Sequence, residues 1–107
     1  MKVLLDECVP RRFRDALPGI EVSTARDQRW TSLRNGELLA EMRAAGFTTL
    51  LTVDRNLTFQ QHIAASGIAV IVMHAVTNRL PDLVPLGPRV VEAIAMTQLG
   101  VISRVGV

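Results

Sequence analysis

The chain has 107 residues, 49% of them apolar and 21% charged, with a formal net charge of +2. That length suits one domain, and that composition excludes an intrinsically disordered segment. The longest apolar stretch, Gly67 to Met73, falls far short of the ~20 residues that cross a bilayer, so no membrane partner is expected.

Asp6 and Glu7 interrupt the N-terminus before a signal-peptide h-region develops, and the one cysteine, Cys8, cannot form an internal disulfide. Both point to a cytoplasmic setting. The isoelectric point of about 9.5 says less than its value suggests. Residues 1–55 carry nine basic and eight acidic groups and residues 56–107 carry three and two, so there is no polybasic tail. Eleven of the twelve basic residues are arginine, which pairs well with phosphate. Nucleic acid is permitted by this balance, not demanded.

In chain order, short apolar runs alternate with helical periodicity, the pattern of βα units. Val3-Leu4-Leu5 predicts a strand buried on both faces. Pro10 suits the first position of a helix whose apolar side holds Val9, Phe13, Ala16 and Leu17, ended by Pro18-Gly19. Ile20 to Thr24 predicts a second strand. Asn35 is an N-cap candidate for a helix to about Ala45, with Leu38, Leu39, Met42 and Ala45 as its buried stripe and Gly46 as its stop. Phe47 to Val53 predicts a third strand, Leu57 to Ser66 a helix closed by Gly67, and Ile68 to Met73 a fourth strand. Asn78 to Pro88, with its three prolines, reads as a loop or broken turn. A helix over about Arg89 to Gln98 and an edge strand over Val101 to Val105 complete the chain. The expected architecture is a three-layer α/β/α domain with a central, mostly parallel sheet spanning residues 1–107.

In such sheets, sites form beyond the carboxyl ends of strands where the strand order reverses. Asp6 directly follows the first strand and Asp54 the third. In the order 2-1-3-4 these strands are neighbours at the reversal, and their carboxylates share a cleft. Two close carboxylates repel, so a proton or cation belongs between them, and Mg²⁺ or Mn²⁺ is the natural oxygen-bound occupant. Glu7, Glu37 and Asn56 are further candidates. Glu7 joins only where the chain curls, because neighbouring strand residues face opposite sides. Glu37 reads equally as a helix-dipole partner, and Asp54-Arg55-Asn56 also reads as a turn and helix cap.

Leu4-Leu5-Asp6-Glu7 followed by a Pro-led helix resembles the opening of PIN-like proteins, particularly a bacterial family of short members. Thr52-Val53-Asp54-Arg55-Asn56-Leu57 is similar to their T-x-D-x-(D/N)-(F/L) motif, and Asn35-Gly36-Glu37-Leu38-Leu39 to their acidic helix start. The resemblance spans roughly residues 1–75. It implies a metal-dependent ribonuclease, with many relatives acting as toxins of toxin–antitoxin pairs. Asp6, Glu37 and Asp54 match acidic metal-site positions, with Glu7 as an accessory. Asn35 stands where relatives often carry Asp, and Asn56 where many carry a further acid. Loss of that charge favours one metal over two and leaves a catalytically weak or inactive protein open.

The expectation is therefore RNA phosphodiester hydrolysis with Asp6 and Asp54 holding the ion and Glu37 acting through water or as an orienting base. Arg11, Arg12 and Arg55 are phosphate-binding candidates, each of which reads singly as solvated helix face. The rival is a non-catalytic PIN-like module that binds a protein. A Cys8–His74 nucleophilic pair is disfavoured, because neighbouring acids raise a thiol pKa. His74 reads instead as a rim residue or minor metal ligand. A receiver domain lacks its lysine, and a dehalogenase-type phosphatase has Cys8 where an acid belongs. Mean hydropathy of +0.28 suggests apolar surface covered by another chain, with Val90, Val91, Ile94, Met96, Val101 and Ile102 as its material. A homodimer or an antitoxin would cover it; burial within the chain's own core is the equal alternative.

Overall fold

Uninterrupted apolar runs form the centre of the computed structural model, which describes residues 2–33, 35–54 and 60–106. The strands are β1 (Lys2–Leu5), β2 (Glu21–Thr24), β3 (Thr49–Thr52), β4 (Ala69–His74) and β5 (Ile102–Gly106). They pair in the order β2-β1-β3-β4-β5, every pair parallel. Parallel sheets need cover on both faces, which is why Val3, Leu4 and Leu5 are consecutive and all fully buried.

Alternation along the strands divides the core in two. Val3, Leu5, Leu51, Ile71 and Met73 face a layer containing Phe13, Leu17, Leu83, Val90 and Ile94. Leu4, Leu50, Val70 and Val72 face Leu38, Leu39, Met42 and Ile63. The first layer is a 3-10 helix (Arg11–Ala16), the short α3 (Leu80–Leu83) and α4 (Gly87–Met96). The second is α1 (Asn35–Ala44) and α2 (Gln60–Ser66). The three-layer α/β/α class is thus the observed one.

Several local expectations need correction. Residues 11–16 form a 3-10 helix, with Pro10 at its N-cap in extended backbone and not at a first helical position. Ala45 is exposed, because α1 ends at Ala44 and Gly46 turns the chain with φ of 87°. The segment from Asn78 to Pro88 is largely helical. Pro81, Pro85 and Pro88 each lie in the first turn of a helical segment, where the missing N–H has no intrahelical partner to lose. Gly87 lets α4 start hard against the 3-10 helix, since a Cβ there would lie 2.8 Å from the Ala16 carbonyl oxygen.

The apolar excess is mostly internal. Val90 and Ile94 are buried and β5 pairs with β4, while Met96, Leu99 and Val101 stay exposed around the α4–β5 connection. Among the described residues, no helix is long and apolar enough to cross a membrane.

Candidate active site at the carboxyl end of the sheet

Three chain ends meet where β1, β2 and β3 finish. Asp6 extends the ladder of β1, its amide donating to the Leu51 carbonyl at 2.9 Å. The chain then turns, with the Val9 amide donating to the Asp6 carbonyl at 2.9 Å. That turn supplies the curl that Glu7 required: Glu7 and Asp6 line the same cleft, and the Glu7 amide donates to Asp6 Oδ1 at 2.9 Å.

The half-buried Asp6 carboxylate has a second fixed partner. Thr52, fully buried at the end of β3, donates from Oγ1 to Asp6 Oδ2 at 2.8 Å. Thr52 Oγ1 in turn accepts the Asp54 amide at 3.1 Å. One hydroxyl therefore ties the ends of β1 and β3 and orients the carboxylate, a role the sequence reading did not assign to Thr52. Its signal was a hydroxyl closing an apolar strand beside a strand that ends in an acid.

Cys8 completes this corner, with Sγ 3.5 Å from Thr52 Oγ1 and 3.7 Å from Asp6 Oδ2. Burial pushes its thiol above the ordinary 9.0; hydrogen bonds to Thr52 and the Val53 backbone oppose this, and the Asp6 charge adds to it. At neutral pH the thiol stays protonated, a poor nucleophile. His74 ends β4, and among the described residues its Nε2 is buried without a hydrogen-bond partner.

The cleft, about 530 Å³, carries both signs of charge. Asp6 and Glu7 supply its acids, Arg11 and Arg26 its bases, and Thr24 and Thr31 hydroxyls, with Cys8, Val9 and Pro10 also lining it. Asp27 organises the arginines nearby. It accepts from Arg14 Nη2 at 3.2 Å, lies 3.9 Å from Arg11 and accepts the Thr24 amide at 3.3 Å. Partial desolvation works against its ionisation, but Thr24, Arg11 and Arg14 outweigh that and hold its carboxyl below the ordinary 3.8.

Not every candidate gathers here. Asp54 is exposed at the end of β3 and Glu37 is exposed in the first turn of α1; neither is among the described residues lining the cleft. Arg12 is exposed outside the lining. Arg55, Asn56 and the side chains of Asn35 and His62 lie outside the described residues. Trp30 packs edge-on against Phe47, ring centroids 5.6 Å apart, and that ring is partly committed to the core.

Among the described residues no three His, Cys, Asp or Glu side chains converge on a possible metal site. Mg²⁺ commonly uses only one or two carboxylates and keeps several waters. The oxygen donors of the Asp6 corner fit such a water-rich site, not a caged one.

Fold and site together define a class: a parallel three-layer α/β/α protein with an acidic corner at its strand reversal. Compared with protein-family models, curated proteins and solved structures, the chain gives no match.

Proposed function

We propose that this protein is a PIN-like, metal-dependent endoribonuclease of the toxin–antitoxin type, acting in the cytoplasm. The observation that carries the reading is Asp6: a half-buried carboxylate at the strand reversal, held by Thr52 and lining a cleft that Arg11 and Arg26 also line. Asp6, with Asp54 from the neighbouring strand end, would hold Mg²⁺ or Mn²⁺, with water completing the shell. When bound, the ion supplies phosphoryl polarisation and hydroxide near neutral pH. Thr52 fixes the Asp6 oxygen, Glu7 adds negative potential, and the arginines position the RNA backbone. Glu37 and Asn56 would act through water, an antitoxin would be the protein partner, and a homodimer would cover Met96, Leu99 and Val101.

The second reading, a PIN-like module that binds protein without cutting RNA, draws on Glu37 and Asp54 standing outside the cleft lining. Calorimetry with Mn²⁺ and a single-stranded RNA cleavage assay separate the two. The nuclease reading expects Mn²⁺ to bind and raise the melting temperature, and Asp6→Asn to lose at least about two orders of magnitude in rate. Cleavage that persists in EDTA overturns the mechanism. No Mn²⁺ binding at millimolar metal selects the module.

A further inference from the structure

We infer that Arg26, on the loop after β2, grips a backbone phosphate of the bound nucleic acid, so that the strand enters across the ends of β2 and β1. This rests on the RNA-binding reading above and adds the direction of approach.

Three observations carry it. First, the charges are divided. Asp6 and Glu7 repel a bare phosphate, while Arg11 and Arg26 attract one, so the cleft matches a ligand that places a cation beside an anion. A phosphodiester with its counter-ion is such a ligand.

Second, Arg26 is uncommitted. Asp27 binds Arg14 and draws on Arg11, whereas the Arg26 guanidinium makes no hydrogen bond or ion pair among the described residues. Its five donors are open to a phosphate.

Third, the loop that carries it is fixed. The Ala25 amide donates to the Leu5 carbonyl at 3.1 Å, that of Trp30 to Ala25 at 2.8 Å, and that of Arg29 to Arg26 at 3.0 Å. Gln28 Nε2 donates to Ser23 Oγ at 2.9 Å, and Arg29 adopts the left-handed φ of 63° that closes the turn. A guanidinium on a rigid base loses less freedom on binding than one on a mobile loop. The exposed Thr31 hydroxyl, on the same lining, adds a donor.

The test is binding of a short, labelled single-stranded RNA to the whole chain in EDTA, read by anisotropy at several salt concentrations. Arg26→Ala should weaken binding about five- to tenfold and make the salt dependence shallower by about 0.7, as for one lost phosphate contact. Its melting temperature should match wild type. Arg104→Ala, exposed on β5 at the opposite edge of the sheet from β2, should leave both readouts unchanged. RNA binding equal to wild type in Arg26→Ala, or a loss confined to Arg104→Ala, overturns the inference and leaves the RNA reading standing. If the wild type binds no RNA, the RNA reading falls. The Arg26 side-chain NMR signal, followed against inorganic pyrophosphate, then decides: a shift retains the phosphate site, and no shift removes it.

Discussion

The two faces of the sheet share one backbone and divide the work. On the face under α4, Val3 and Leu5, then Leu51, Ile71 and Met73, stay apolar to the strand ends. On the face under α1 and α2 the same alternation begins with Leu4, Leu50, Val70 and Val72 but closes in Asp6, Thr52 and His74. A period of two makes the residue just past the last buried position decide what that face can do. On the α4 face the ends of β1, β3 and β4 go to packing, with Thr24 as the polar end of β2; the other face turns polar where the sheet meets solvent.

Substitutions at four positions break or sharpen this contrast, the largest effect first. Phe13, fully buried over the apolar face, should cost about 3–5 kcal/mol as Phe13→Ala in denaturant unfolding, because the 3-10 helix cannot close over the space. A cost below about 1 kcal/mol would mean that the helix is dispensable to that face.

Thr52→Val on the polar face should cost about 1–2 kcal/mol, since both Asp6 and the Asp54 amide lose their hydroxyl partner. Thr52→Ser should recover most of the metal-dependent stabilisation, and Thr52→Val should not. Equal behaviour of the two would remove the hydroxyl from the site.

The third test uses acid. Asp27 has a folded pKa below its ordinary 3.8, so its contribution is complete above that value and lost as pH falls through the folded pKa. Asp27→Asn should therefore flatten the acid limb of a melting-temperature profile below about pH 5 while lowering the neutral plateau. A parallel, merely displaced profile would contradict this. The smallest effect is Arg29→Gly. Relief of the left-handed backbone outweighs the added chain entropy by at most about 1 kcal/mol, a slight rise in melting temperature.

The strands were legible because burial on both faces writes itself as consecutive apolar residues, as at Val3-Leu4-Leu5. Asp6 was legible because it closes such a run; Asp54 was placed by the same rule, yet it lies two residues beyond β3 and the described cleft lining does not include it. Residues 78–88 were not, since prolines mark a first helical turn as readily as a break, and only the structure distinguishes them. Arg26 and Thr31 escaped for another reason: the loop after β2 has no period, and what places it is backbone hydrogen bonding to Leu5 and Ala25. The membership of Glu37 was inferred from motif position, and the described cleft lining does not include it.

The strand order also bears on how the chain assembles as it is made. β2 joins one edge of β1, β3 takes the other, and β4 and β5 each add to the edge just created. No strand has to open a finished ladder, so the sheet can grow outward in the order of synthesis. The exposed intermediate is the chain that has made β4 and not yet β5. Its free edge is Ala69 to Met73, buried throughout in the finished fold, rich in β-branched residues and without charge. Such an edge templates pairing with other chains. A chain cut before Ile102 should therefore aggregate, with β5 serving the growing protein as the cap that ends its period of risk.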